Sequence, residues 1–176
     1  MDGTEIALLV VIVVLIVVSA FLALAETALT RISRARAASL VEDGRHGAVR
    51  LQELIAQPER FLNPVLLVVL VCQVVQAALT GVLADRLFGP WGIAAATFVN
   101  VVLVFVFAEA APKTWAVLNP DRAALVSAGP VSALVRFPPV QLLSRALIGL
   151  TNVILPGKGL KEGPFVSEEE LLALAD

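Results

Sequence analysis

Glu109 lies in the run Phe107-Ala108-Glu109-Ala110-Ala111-Pro112-Lys113-Thr114, at the end of a long apolar stretch. Proline has no N–H, so in a helix Pro112 leaves the carbonyl four residues back, that of Ala108, without its partner. A freed carbonyl beside a carboxylate is a pair of hard oxygen ligands, the kind that Mg2+, Ca2+ and Na+ prefer. Broken helices line ion sites at membrane depth for the same reason. The spacing also admits a plainer reading, in which Glu109 pairs with Lys113 at i,i+4 and Pro112 simply ends the helix. The sequence leaves both open.

A second carboxylate, Glu26, closes another apolar stretch. Ser19 stands seven residues before it on the same helical face, with Ala23 between them. Small residues there let a helix or an ion approach closely, and they are equally ordinary packing residues of a membrane helix interface. Glu26 is therefore a candidate ion contact, with capping against Arg31 or Arg34 as the alternative. Gln73, Gln76, Ala77 and Thr80 recur at i, i+3, i+4 and i+7, one polar stripe on a Leu/Val helix. Their amide and hydroxyl oxygens suit a cation or an interhelical hydrogen bond. Asn100 falls about 180° around a regular helix from Glu109, which makes it an interface residue rather than a ligand of the same site. The one cysteine, Cys72, excludes a disulfide framework. The one histidine, His46, sits among Arg45, Gly47 and Arg50 and reads as a solvated loop residue.

These groups are set in a chain that is 59% hydrophobic and 16% charged over 176 residues, with a mean hydropathy of +0.90. A soluble fold of this size has no room to bury so much apolar surface, and the bilayer is its natural solvent. Ile6 to Ala25, Phe61 to Ala84 and Leu87 to Ala108 carry no charge. Each is close to the ~20 residues a helix needs to cross the hydrocarbon core. Backbone groups in lipid must bond internally, so these runs are expected to be helical despite their Val and Ile. The first is too long and too poor in basic residues for a cleaved signal. The expected spans are about 5–30, 61–84 and 87–111.

Of the thirteen basic residues, only Arg86 lies in the link between the second and third spans. Arg31, Arg34, Arg36, Arg45, Arg50 and Arg60 fill the first loop, and the others follow the third span. The basic side is the cytoplasmic one, which places the N-terminus outside and the C-terminus in the cytoplasm of a multi-pass plasma-membrane protein. The segment 120–155 is apolar enough to suggest a fourth span, but Arg136, Arg145 and the pair Pro138-Pro139 interrupt it. Segments 33–57 and 120–155 are therefore expected to be amphipathic helices at the cytoplasmic face. The fold class is an all-α membrane domain over 1–155. Residues 156–176 form a Gly/Pro linker and a capping box, Ser167 to Glu170, that opens an acidic helix leading to a further soluble module. A net charge of −2 leaves no nucleic-acid footprint. No Ser/His/Asp or hydrolytic-metal spacing indicates an enzyme.

The segment Ser19-Ala-Phe-Leu-Ala-Leu-Ala-Glu26-Thr-Ala-Leu-Thr30, the Ser33-Arg34-Ala35-Arg36 stretch, Asn63, the Glu109-Ala-Ala-Pro112-Lys113-Thr114 segment, Asn119-Pro120 and the Ser-Glu-Glu-Glu-Leu helix together resemble the transmembrane domain of the CNNM/CorC magnesium transporters. The resemblance implies a homodimer with three spans per subunit and a belt of juxtamembrane helices. It also implies Mg2+ export driven by Na+ entry, and a missing cytoplasmic CBS module that binds ATP. The family's glutamate before the proline falls on Glu109, and its first-span serine on Ser19. The chain departs from the family pattern S-A-F-F-S-G-S-E at Ala23, Leu24 and Ala25. It also departs from the family's second-span N-N-x-x-N and later serine, where it has Val69, Leu70, Gln73 and Ala77.

The surviving candidate ligands are Glu109, Ser19, Gln73 and Glu26, with backbone carbonyls near Ala23 and Ala108. The leading function is transport of Mg2+ by alternating access. The alternative is a non-transporting scaffold or sensor of the same fold, which the lost oxygen ligands favour and the retained Glu109-Pro112 pair disfavours. Ala77, Ala78 and Gly81 offer a small-residue face for the dimer.

Overall fold

A computed structural model describes residues 2–143. The apolar runs form helices because a helix satisfies every N–H and C=O within its own segment in lipid. Helix α1 runs Gly3–Arg31, α4 runs Pro58–Phe88, and a third rod runs Pro90–Leu118. At about 1.5 Å per residue, 29 residues reach about 43 Å, well beyond a hydrocarbon core of about 30 Å. The third rod is built from α5 (Pro90–Leu103), a π-helical segment (Val104–Ala110) and α6 (Ala111–Leu118). Between α1 and α4 lie α2 (Arg34–Glu42) and α3 (Ala48–Ala56), and α7 (Pro120–Arg136) follows α6. Residues 138–143 are helical again. Among the described residues there is no strand.

The breaks between helices have local causes. Ser33 caps α2 by accepting from the Arg36 N–H at 3.1 Å. Gly44, at φ +65, ends α2 in a Schellman turn, with Arg45 N–H on the Leu40 carbonyl and Gly44 N–H on that of Val41. The expected 33–57 segment is thus two helices. Phe137 is extended, as a residue before proline must be, and stops α7 at Arg136. The 120–155 segment is therefore also divided, and its part beyond 143, with the 156–176 tail, lies outside the described residues.

The turn between the second and third spans falls at Gly89, not at the charged pair Asp85-Arg86 that the sequence suggests. Gly89 has φ +69, and Pro90 opens α5 at its first turn. Asp85 and Arg86 remain in the last turn of α4, because a charge does not break a helix that reaches the interface, whereas Gly-Pro does. Gly92 lies close against the preceding turn. A Cβ there would collide with Phe88 Cβ and lie 3.0 Å from the Ala84 carbonyl oxygen.

Helix α1 is central and touches α4, α6, α7 and the π segment. The core fills its second half: Leu22, Ala25, Ala28 and Leu29 meet Phe61, Leu62, Val65 and Val69 of α4. Leu51 and Ile55 of α3, with Ala123, Ala124, Ala128 and Val131 of α7, complete it. Alanines dominate because the helix backbones approach closely there. By contrast Val10, Val14, Val17, Leu70, Val74, Phe98, Val101 and Phe105 are exposed, an outer surface suited to lipid or to another subunit.

Candidate cation site

The carboxylates of Glu26 and Glu109, from α1 and the third rod, converge on one ammonium. Lys113 Nζ lies 2.9 Å from Glu109 Oε2 and 3.7 Å from Glu26 Oε2. The Gln73 side chain of α4 donates Nε2–H to Glu109 Oε1 at 2.6 Å. All three spanning rods thus contribute to one polar cluster. It is partly open: the Glu26, Glu109 and Lys113 side chains are 26%, 29% and 40% exposed. The i,i+4 pairing of Glu109 with Lys113 is present, but Pro112 does not end the helix. It sits at the join of the π segment and α6, inside a rod that continues to Leu118.

The π segment sets this geometry. The Ala111 N–H bonds to the Val106 carbonyl, five residues back. The wider turn rotates Glu109 relative to the preceding helix. Asn100 and Glu109 therefore do not lie on opposite faces, as the regular-helix reading expects, and both reach α4. Asn100 pairs with Gln76, whose Nε2 donates to Asn100 Oδ1 at 2.5 Å and to Thr80 Oγ1 at 3.0 Å. The polar stripe of α4 is thereby split. Gln73 joins the carboxylates, Gln76 and Thr80 form an interhelical clasp with Asn100, and Ala77 is exposed.

Ser19 is 2% exposed. Its Oγ is buried and has no hydrogen-bond partner among the described residues. It faces the Cys72 thiol, one residue from Gln73. Seven residues of helix put it about 10 Å up α1 from Glu26, and no contact joins it to the carboxylates. The Ala23 carbonyl accepts from Thr27 Oγ1 at 3.1 Å, and Ala23 and Ala108 are buried at the helix contacts. Glu26 does not cap against Arg31 or Arg34, because Lys113 is nearer. That link had no sequence signal, since α1 and α6 meet only in the fold. Among the described residues no group of three or more His, Cys, Asp or Glu side chains is disposed to chelate a metal.

Outside the spans, Arg36 of α2 grips Asp121 of α7, with Nε 3.2 Å from both carboxylate oxygens and Nη2 2.6 Å from Oδ2. These hydrogen bonds, with the guanidinium charge behind them, hold the Asp121 carboxyl below its ordinary pKa.

Three long apolar helices joined by a partly open polar cluster define an all-helical membrane domain. Residues 10–176 match the family described as the CNNM (cyclin M) transmembrane N-terminal domain. The chain belongs to that family. It is 32% identical over 165 residues to a UPF0053 protein of Mycobacterium tuberculosis, covering 93% of this chain and 38% of that one. It is 34% identical over 137 residues to the UPF0053 inner membrane protein YfjD of Escherichia coli, covering 78% of this chain and 31% of that one. A DUF21 domain-containing chloroplastic protein of Arabidopsis thaliana is 32% identical over 164 residues, covering 92% of this chain and 24% of that protein. The chain therefore spans between a quarter and two-fifths of the length of these relatives.

Proposed function

We propose that this chain is the membrane domain of a Mg2+ transporter, and that the cluster of Glu26, Gln73 and Glu109 is its cation site. The observation that carries the reading is the meeting of two carboxylates from two rods at one ammonium, with an amide from the third rod bonded to one of them. Ionisable groups at membrane depth are costly and persist where they serve a pathway. Rotating the Gln73 amide by half a turn presents its Oε1 where Nε2 now lies, giving a third oxygen. Mg2+ keeps several of its waters and asks for only one or two carboxylates, which suits so sparse a ligand set. Ser19, a buried hydroxyl facing only the Cys72 thiol, would supply a neutral oxygen further along the path. Alternating access then needs the three rods to rock about this cluster.

The finer parts of the proposal are Mg2+ export coupled to Na+ entry, a homodimer built on the face of exposed Ala77 and Ala78 and half-buried Gly81, and regulation by ATP through a cytoplasmic CBS module. The basic loops set the orientation, N-terminus outside. A relative named as an inner membrane protein supports the cell membrane as its location. The second reading, a scaffold or sensor, is favoured by Ala23, Ala25, Val69 and Leu70, which are apolar where family members carry oxygens. Reconstitution into vesicles containing a Mg2+-sensitive dye separates the two. A Na+ gradient that drives Mg2+ movement supports transport, and its absence in vesicles holding folded protein supports the scaffold.

A further inference from the structure

We infer that the Lys113 ammonium is the resident cation of this site, and that its position decides whether the site matches a monovalent or a divalent ion. The inference rests on the cation-site reading above.

Both contacts of Lys113 are to Oε2 atoms, those of Glu109 and Glu26. Its nitrogen thus stands where a bridging metal would stand. Glu109 Oε1 is occupied separately by Gln73, so only the Oε2 face needs to exchange. Two carboxylates left alone near membrane depth repel each other and lose solvation, and an internal ammonium relieves both costs when no ion is bound.

The charge arithmetic follows. With Lys113 in place, the two carboxylates and one ammonium sum to −1, which one monovalent ion neutralises. With Lys113 withdrawn the sum is −2, which one divalent ion neutralises. Lysine suits the task because it is a compact point charge on a flexible stem. Its side chain is 40% exposed, so the ammonium has open surface to swing toward while the stem stays on the protein. The i,i+4 spacing keeps it tethered to Glu109 and ready to return. A bound Mg2+ must therefore displace a built-in competitor, whereas Na+ joins it.

The test uses the full chain purified in detergent. Mg2+ and Na+ binding, and thermal stability with and without Mg2+, are measured for wild type, Lys113→Met and the charge-retaining Lys113→Arg. Lys113→Met is expected to tighten Mg2+ binding by about tenfold or more, to shift preference from Na+ toward Mg2+, and to be less stable than wild type until Mg2+ is added. Lys113→Arg is expected to bind Mg2+ no better than wild type. Wild-type binding that is unchanged or weakened in Lys113→Met overturns the inference while leaving the cation site standing. Binding in Lys113→Met alone supports it strongly. Absence of binding in every form, with Mg2+ giving no stabilisation, overturns the cation-site reading and this inference with it.

Discussion

Gln73 and Glu109, thirty-six residues apart, are joined by a hydrogen bond of 2.6 Å that ties α4 to the π-helical segment of the third rod. The bond holds the Glu109 carboxylate in one orientation, with Oε1 toward α4 and Oε2 toward Lys113. An amide–carboxylate bond is charge-assisted and stronger than a neutral one. Gln73→Leu should therefore weaken Mg2+ binding several-fold without abolishing it, since both carboxylates remain. Titration of the purified variant checks this.

Ser19 offers a prediction with two readouts of opposite sense. A buried hydroxyl without a partner carries a desolvation cost of about 1–3 kcal/mol. Ser19→Ala should leave thermal stability unchanged or raised in ion-free buffer. If the hydroxyl meets the ion on its path, the same variant should carry Mg2+ more slowly. Melting curves and vesicle flux measure the two effects.

Gln76 and Asn100 form a closed amide clasp inside the membrane region, with Gln76 2% exposed. Gln76→Leu alone strands the Asn100 amide, and Asn100→Leu leaves Gln76 only its bond to Thr80, while the double change removes both amides. The double-mutant cycle should give a coupling of about 0.6 kcal/mol, the average for interhelical hydrogen bonds in membranes, and at most about 1.7 kcal/mol. Mg2+ binding should be less affected than by changes at Gln73, because the clasp does not touch the carboxylates.

Gly92→Ala places a methyl against Phe88 Cβ and the Ala84 carbonyl. The α4–α5 hairpin must open to admit it, an overpacking cost of about 1–3 kcal/mol. Thermal unfolding should report this loss.

Asp121 sets a pH dependence. Its folded pKa lies below its ordinary value because Arg36 hydrogen-bonds the carboxylate. The stability it contributes is fully present above the ordinary range near about pH 4 and is lost as pH falls through the folded value. Wild type should lose its stability margin over Asp121→Asn on acidification. The pair is half in solvent, 50% and 35% exposed, so the margin should be small and should shrink further in high salt. Melting curves across pH and salt check both.

Much of this was legible in the sequence, for reasons that differ by residue. The three spans were readable because length without charge has few other meanings. Glu109, Glu26 and Gln73 stood out because polar groups in such runs are expensive. The Glu109–Lys113 pair followed from i,i+4 spacing. The link from Lys113 to Glu26 did not, since it depends on how α1 and α6 meet. Nor did the π segment, because Val104 to Ala110 carries no residue that an ordinary α-helix rejects. The 180° angle between Asn100 and Glu109 fails for that reason, while Asn100 is the interface residue the sequence suggests. The charge-free runs point to a turn at Asp85-Arg86, whereas the Gly89-Pro90 breaker is what turns the chain.

Calorimetric titration of Mg2+ into the purified protein, wild type beside Glu109→Gln with Ca2+ and Na+ as competitors, tests the central claim most directly. The account predicts saturable binding in wild type that disappears in Glu109→Gln, because removing that charge leaves Lys113 and Glu26 as a neutral pair. Undiminished binding in Glu109→Gln would contradict it, as would the absence of binding at millimolar Mg2+ in wild type and Lys113→Met alike.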